Sequence, residues 1–246
     1  MGKMEDYRQN LRSEKDIRRY LLENSNLPGP RGNLELAHAA ALECPAQLLI
    51  EWSSLDIQVA PTNTNLEFLS FCGILGQGRL YLEGDPQSLE RILNAASDPR
   101  WRTREAAATA LQIIGKENLP ALITFLPRLA DGNPCEQRCA VAAICEPALL
   151  HDPATIRFAL ELLDKITTAF AAYPNKKEEG FIVLKKGLAY GWSVAASADL
   201  QLGKPYLEKW LQSTDRDVCQ VMQENLKKNR LIRLDAAWVD RWKNTC

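Results

Sequence analysis

The chain has 246 residues, with 30 basic and 31 acidic side chains and a formal net charge of −1 at pH 7. This balance gives no global attraction to nucleic acid or to an anionic membrane, although a local basic face remains compatible with it. No apolar run approaches the roughly 20 residues of a membrane span, and the first residues lack the apolar core of a signal peptide. We therefore expect a soluble, cytoplasmic protein without a membrane partner.

The cysteines and histidines do not form a recognisable chemical motif. Seven cysteines, an odd number, lie in apolar segments, which favours reduced thiols. Cys135 and Cys139 would share a helix face, where a sulfur pair could oxidise or hold a metal. His38 and His151 have no neighbouring Cys-x-x-Cys with which to complete a structural zinc site. Because phosphate-binding loops, nucleophile elbows and His-Glu-x-x-His pairs are also missing, we predict no cofactor, no metal and no catalytic residue.

The predicted elements begin with an N-terminal helix within residues 1–27. Ser13-Glu-Lys-Asp16 resembles a capping box and lies ahead of the apolar residues of that helix. The segment 28–32, Pro-Gly-Pro-Arg-Gly, then interrupts the helix. Asn33 can cap the next helix, whose apolar spacing begins at Leu34.

Two further helices are predicted before residue 80. The first runs from Pro45 to about Leu55. The second is the wholly apolar stretch that starts at Asn65, and the pattern predicts that it ends at Gly76. Such an apolar helix is typical of a buried element.

A pattern of an apolar helix, an Asp at a turn and a small-residue helix then occurs at Asp98, Asp131 and Asp215. Asp98 and Asp131 are 33 residues apart, a period typical of helix pairs that stack into solenoids. In the central copy, Asp98-Pro99 precedes an alanine-rich helix that is predicted to end at Gly115. Each Asp is expected to cap the helix that follows it.

The remaining helices are predicted over 119–130, 135–150, 153–172, 178–198, 204–212 and 217–228. Phe181-Ile-Val-Leu is β-like, but it continues without a breaker into a helical pattern. We therefore predict an all-α protein.

The turn at Asp98-Pro99, followed by Arg104, an alanine-rich helix and Gly115, resembles the HEAT-like repeat. The match recurs with lower fidelity at Asp131 and at Asp215, where Cys219 stands at the usual Arg position. The resemblance covers residues 33–230 and implies a right-handed α-α superhelix of about five to six helix pairs. It implies a single domain over 1–246, in which residues 231–246 cap the last repeat.

The chain is also similar to HEAT-like DNA-alkylation-repair proteins from Gly187 to Trp192 and from Lys204 to Arg230. Those relatives include glycosylases that remove cationic, alkylated bases, and their chemistry uses aromatic faces with a nearby carboxylate. The dense cluster of Trp and Asp residues that carries this chemistry is missing here. Trp192 lies seven residues from Asp199, and Trp101 three from Asp98. No catalytic residue is therefore carried over.

Two basic clusters and two tryptophans are candidates for binding nucleic acid or a partner. They are Arg100, Arg102, Arg104, Lys227, Lys228, Arg230, Arg233, Trp192 and Trp238. On one concave surface the cations could follow a phosphate backbone. The alternative interpretation is that they are helix-terminal or solvated, with acidic residues between them.

Two functional hypotheses follow. The first is a non-enzymatic scaffold that binds a macromolecule, above all a protein. The binding surface would be the concave face formed by the second helices of its repeats. The second is a DNA-binding relative of the alkylpurine glycosylases, with or without their activity. A groove of mixed charge or with exposed aliphatic side chains would favour protein. A groove lined by Arg and Lys with an accessible Trp–Asp pair would favour DNA.

Overall fold

The computed structural model describes residues 2–243, and over this range the protein is all-α without a strand. It contains fifteen α-helices and one short 3-10 helix within the described range. The chain divides into two compact units, with the boundary between Asn118 and Leu119. The prediction of an all-α protein is confirmed. No helix in this described range is long and apolar enough to cross a membrane.

The first unit is built around a row of four helices. Its helices are α1 (Lys3–Ser13), α2 (Ile17–Glu23), α3 (Leu34–Glu43), α4 (Ala46–Ser53), α5 (Asn65–Leu82), α6 (Gln87–Ala95) and α7 (Trp101–Glu117). In the row, α1 packs on α3, α3 on α5, and α5 on α7. Helix α4 packs on α5, while α6 packs on both α5 and α7. Most residues of α5 are buried, as its apolar sequence predicts.

The second unit has two interleaved sets of helices. They are α8 (Leu119–Ala130), α9 (Pro134–Ile144), α10 (Pro153–Ala171), α11 (Glu179–Ala198), α12 (Leu200–Leu211), α13 (Arg216–Leu226), α14 (Asn229–Leu234) and α15 (Ala236–Trp242). Helices α9, α11 and α13 form a row, and α8, α10 and α12 pack on one another and on that row. Helix α14 packs on α11 and α13, and α15 packs on α14. Residues 244–246 of the predicted cap lie outside the described range.

The N-terminal segment contains two helices where one was predicted. Helix α1 ends at Ser13, and α2 begins at Ile17. Asp16 caps α2, because its carboxylate accepts a hydrogen bond from the Arg19 backbone N–H at 3.0 Å. The cap at Asn33 is as predicted, since its side-chain oxygen accepts from the Leu36 N–H at 3.2 Å.

Helix α5 does not end at Gly76, and this prediction is wrong. The helix continues to Leu82, because its glycines allow close packing rather than termination. A Cβ at Gly73 would lie 2.6 Å from the Trp52 carbonyl carbon, and one at Gly76 would lie 2.6 Å from a Leu49 methyl group. The backbone of α5 thus approaches the α4 backbone too closely for a side chain at Gly73, whereas Gly76 packs against the Leu49 side chain. Helix α7 likewise continues beyond Gly115 to Glu117.

The three aspartates of the repeated pattern have different roles. Asp98 does not cap α7; its carboxylate accepts from the Arg100 backbone N–H at 2.7 Å and side-chain Nε at 2.8 Å. Near Asp131, the cap of α9 is Asn133. Only at Asp215 does the predicted capping occur, with the Asp217 and Val218 N–H groups as donors.

Two later helices differ from their predicted bounds. Helix α9 ends at Ile144, and the 3-10 helix Pro147–Leu149 follows where a continuous helix to residue 150 was predicted. Pro147 explains the break, because proline disfavours the helical conformation at the residue before it. Helix α12 begins at Leu200 instead of 204, since Asp199 caps it there.

Candidate functional site

A cleft of about 490 Å³ opens in the first unit among α3, α5 and α7. We call it the α3–α5–α7 cleft. Its walls are formed by Arg31, Gly32, Leu34, His38, Phe68, Phe71, Trp101, Arg102, Glu105 and Thr109. The volume lies in the range of roughly 300–1,000 Å³ that is common for binding pockets. Four of these residues, Leu34, Phe68, Phe71 and Trp101, contribute large apolar side chains.

Two large apolar side chains at the cleft are open to solvent. Leu34 is 54% exposed and Trp101 is 47% exposed. Each is the first residue of its helix, α3 and α7 respectively, so the fold brings two helix starts to one cleft. Phe68 and Phe71 contribute nearly buried rings that stack with centroids 6.5 Å apart. A partner that covers Leu34 and Trp101 would remove apolar surface from water, which is favourable.

The orientation of Trp101 is supported from within the protein. The guanidinium carbon of Arg102 lies 4.4 Å from the centroid of the Trp101 ring. Arg102 is itself held by Glu67, whose Oε2 accepts from Nη1 at 3.0 Å, and by the Gly29 carbonyl, which accepts from Nη2 at 2.8 Å. The stacked guanidinium fixes one face of the indole. Less side-chain entropy is therefore lost when the indole contacts a ligand.

The polar groups of the cleft carry mixed charge. Arg31 is exposed, whereas Glu105 contributes an acidic side chain. His38 is half-buried, and its pKa is lowered first by that burial and then by the positive charge of Lys116. The His38 imidazole is therefore neutral at pH 7. The cleft combines an apolar centre with a few charged groups of both signs.

The first predicted basic cluster, Arg100, Arg102 and Arg104, is buried. Arg100 donates to Asp98 and also to the carbonyls of Leu55 at 2.8 Å and Ala60 at 3.1 Å. It thereby fastens the loop after α4 to the turn before α7. Arg104 donates to the Asp98 and Pro99 carbonyls at 2.8 and 3.1 Å. These arginines stabilise the fold, and Arg102 alone of the three lines the cleft.

The two predicted tryptophans, Trp192 and Trp238, are also buried. The Trp192 Nε1 donates to the Thr167 hydroxyl at 3.0 Å, and the Trp238 Nε1 donates to a Glu208 carboxylate oxygen at 2.6 Å. Asp199, the carboxylate nearest to Trp192 in sequence, caps α12. Both indoles belong to the core, where aromatic side chains bury large areas.

The second basic cluster lies on the surface of the second unit. Lys227 is exposed and pairs with Glu224. Lys228 is partly exposed, Arg233 is exposed, and Arg230 lies 4.5 Å from the centroid of the Tyr190 ring. These four residues differ from the first cluster in that solvent reaches them.

The structure offers no clear metal centre in the part of the chain that it describes. The six cysteines within residues 2–243 are free thiols, including Cys135 and Cys139. No group of three or more His, Cys, Asp or Glu side chains in this range could hold a metal ion. Cys246 lies outside the described residues.

Comparison with protein-family models, with curated proteins and with solved structures found no match for this chain. The candidate site therefore rests on geometry alone. Sequence reasoning missed Leu34 and Trp101. One signal was present, since each of these large apolar residues is the first residue after a turn, a position where polar residues are usual.

Proposed function

We propose that the chain is a non-enzymatic scaffold that binds a protein partner, and that the α3–α5–α7 cleft receives an apolar side chain of that partner. The proposal includes a HEAT-like, right-handed superhelix over residues 33–230. The row α9–α11–α13 and the helix α7 support it, because these are the second helices of the predicted pairs. Part of the cleft is formed by α7, which we expect to face a partner. The cytoplasmic location stays a prediction.

The observation that carries the proposal is the exposure of Leu34 and Trp101 on one aromatic cleft. Protein interfaces are enriched in aromatic residues at their centre, and a few such residues supply most of the binding energy. The charged groups around the cleft have both signs, which suits a protein surface better than a phosphate backbone.

DNA binding is the alternative proposal. It rests on the partly exposed Lys228 and the exposed Arg233 in the second unit. Glycosylase activity would need aromatic faces open to a base. Trp192 and Trp238 do not supply them, because both indoles are buried, and the half-exposed Trp101 has in Asp98 a carboxylate that is already bound to Arg100. The protein-binding proposal is therefore preferred.

A selection from a displayed peptide library tests the leading proposal. The library is selected in parallel on the immobilised wild-type protein and on the immobilised double variant Leu34→Ser, Trp101→Ser. Both side chains are about half exposed, so we expect the variant to keep the wild-type circular dichroism spectrum. The wild-type protein should enrich peptides that share a large apolar residue, and the variant should not. Enrichment of the same peptides on both proteins would contradict the assignment of the cleft.

A titration with labelled duplex DNA tests the alternative. One duplex is unmodified and the other carries an abasic-site analogue, and both are titrated across a salt series. We expect neither a preference for the abasic site nor strong binding at physiological salt. Salt-dependent binding that favours the abasic duplex would replace the protein-binding proposal.

A further inference from the structure

The last part of the described chain carries a local excess of positive charge. Residues 227–243 contain six Lys or Arg and two Asp, although the whole chain has a formal net charge of −1. This segment covers the end of the second unit from the C-terminus of α13 through α15. The positive charge is thus concentrated on one small region.

An apolar groove of about 440 Å³ lies within this region, between α13 and the helices α14 and α15. The apolar lining is Leu226, Ile232, Ala236 and Val239, and the polar lining is Gln223, Lys227, Asp240 and Lys243. Ile232 is 38% exposed, and its neighbour Leu234 is 51% exposed. We call this region, with Lys228, Arg233 and Arg241, the basic groove.

Nearby carboxylates compensate only part of this charge. Glu224 pairs with Lys227, Asp240 pairs with Lys243 at 2.8 Å, and Asp235 pairs with Lys204 at 2.6 Å. Among the residues that the structure describes, no carboxylate lies within 4.0 Å of the charged groups of Lys228, Arg233 and Arg241. Their charge is therefore available to an acidic ligand.

We propose that the basic groove binds an acidic amphipathic helix of a protein partner. Apolar residues along one face of such a helix would cover Ile232 and the groove, and Glu or Asp residues beside that face would meet Lys228 and Arg233. A nucleic-acid backbone would satisfy the cations but would leave the exposed aliphatic side chains in water. This surface lies in the second unit and is independent of the α3–α5–α7 cleft.

The test measures binding of a labelled 16-residue peptide with Leu on one helical face and Glu at the other positions. One control peptide has Lys in place of every Glu, and another has the same composition with the Leu residues scattered. The variants are the double variant Lys228→Glu, Arg233→Glu and the single variant Ile232→Ser. A matched control, Lys177→Glu with Lys186→Glu, makes the same change in net charge at exposed positions outside the groove.

We expect the acidic amphipathic peptide to bind the wild-type protein, with affinity that falls as salt rises. Reversal of Lys228 and Arg233 should weaken binding at least tenfold, Ile232→Ser at least threefold, and the matched control less than twofold. Three outcomes would overturn the proposal. They are no binding at low salt, equal binding of the scattered or Lys-containing peptide, and equal weakening by the matched control. Variants of Leu34 and Trp101 should leave this peptide binding unchanged. Failure of the basic-groove proposal can therefore be distinguished from failure of the proposed function.

Discussion

The carboxylate of Glu67 is fully buried, and it forms an ion pair with one arginine, Arg102. Glu67 Oε2 accepts from Arg102 Nη1 at 3.0 Å and from the Asn63 backbone N–H at 2.7 Å. Removing one partner of a buried ion pair leaves an uncompensated charge, and this costs more than the intact pair contributes. The pair also supports the guanidinium that stacks on Trp101.

We predict that Arg102→Ala lowers the free energy of unfolding by about 3–5 kcal/mol. Urea denaturation followed by circular dichroism measures this change. The double variant Glu67→Gln, Arg102→Met removes both charges and should recover most of the lost stability. A loss below about 1 kcal/mol in Arg102→Ala would show that Glu67 is not a buried charge.

His38 is the side chain through which we expect pH to act on the cleft. Its pKa is lowered by burial and by Lys116, while Glu35 acts in the opposite direction. Arg31, Arg102 and Glu105 are the other charged side chains of the cleft. The imidazole is thus neutral at pH 7 and becomes charged at a lower pH than an ordinary imidazole.

We predict that the affinity of a cleft-binding peptide is constant from pH 8 to 7 and decreases about fivefold by pH 5, the effect of roughly 1 kcal/mol of added charge energy. Fluorescence anisotropy of a selected peptide measures the profile. His38→Gln should be insensitive to pH over this range. An unchanged decrease in that variant would show that His38 does not cause the effect.

At the scale of helices, the sequence predicts where elements exist better than where they end. Gly76 was read as a helix terminator, but α5 continues because its glycines contact α4. A local pattern does not distinguish a glycine required by a neighbouring helix from one that ends a helix. The caps at Asn33 and Asp215 were predictable, since a side-chain cap depends on only three or four consecutive residues.

We predict that Gly73→Ala lowers the free energy of unfolding by about 1–3 kcal/mol, although alanine favours a helix more than glycine does. The added methyl group would overlap the backbone of α4 at Trp52 and Ser53. Chemical denaturation measures the change, with Gly2→Ala as a control because no atom lies within 4 Å of a Cβ there. A stabilised Gly73→Ala protein would contradict the close approach of α4 and α5.

The candidate site was less predictable than the helices. Arg100 and Lys228 are both basic residues near a helix terminus, yet Arg100 is buried by carbonyls from a loop about 40 residues away, and Lys228 is partly exposed. A local sequence pattern does not predict such long-range contacts. The cleft likewise depends on contacts among three helices. The repeat pattern suggests that these helices are adjacent, but it does not specify which of their residues are exposed.

For the molecule as a whole, we expect a high helical content. We predict a circular dichroism spectrum with the two minima of an α-helix near 208 and 222 nm and almost no sheet component, because the described residues contain no strand. Substantial sheet in the purified protein would contradict the fold.

The central claim is that the α3–α5–α7 cleft binds a protein partner. The most direct measurement is the dissociation constant of a peptide selected on the wild-type protein, compared by fluorescence anisotropy among three proteins. They are the wild type, Leu34→Ser with Trp101→Ser, and Lys228→Glu with Arg233→Glu. We expect the cleft variant to bind at least tenfold more weakly, a loss of about 1.4 kcal/mol or more, and the basic-groove variant to bind as the wild type does. Equal affinity of the wild type and the cleft variant would show that the α3–α5–α7 cleft does not bind the peptide.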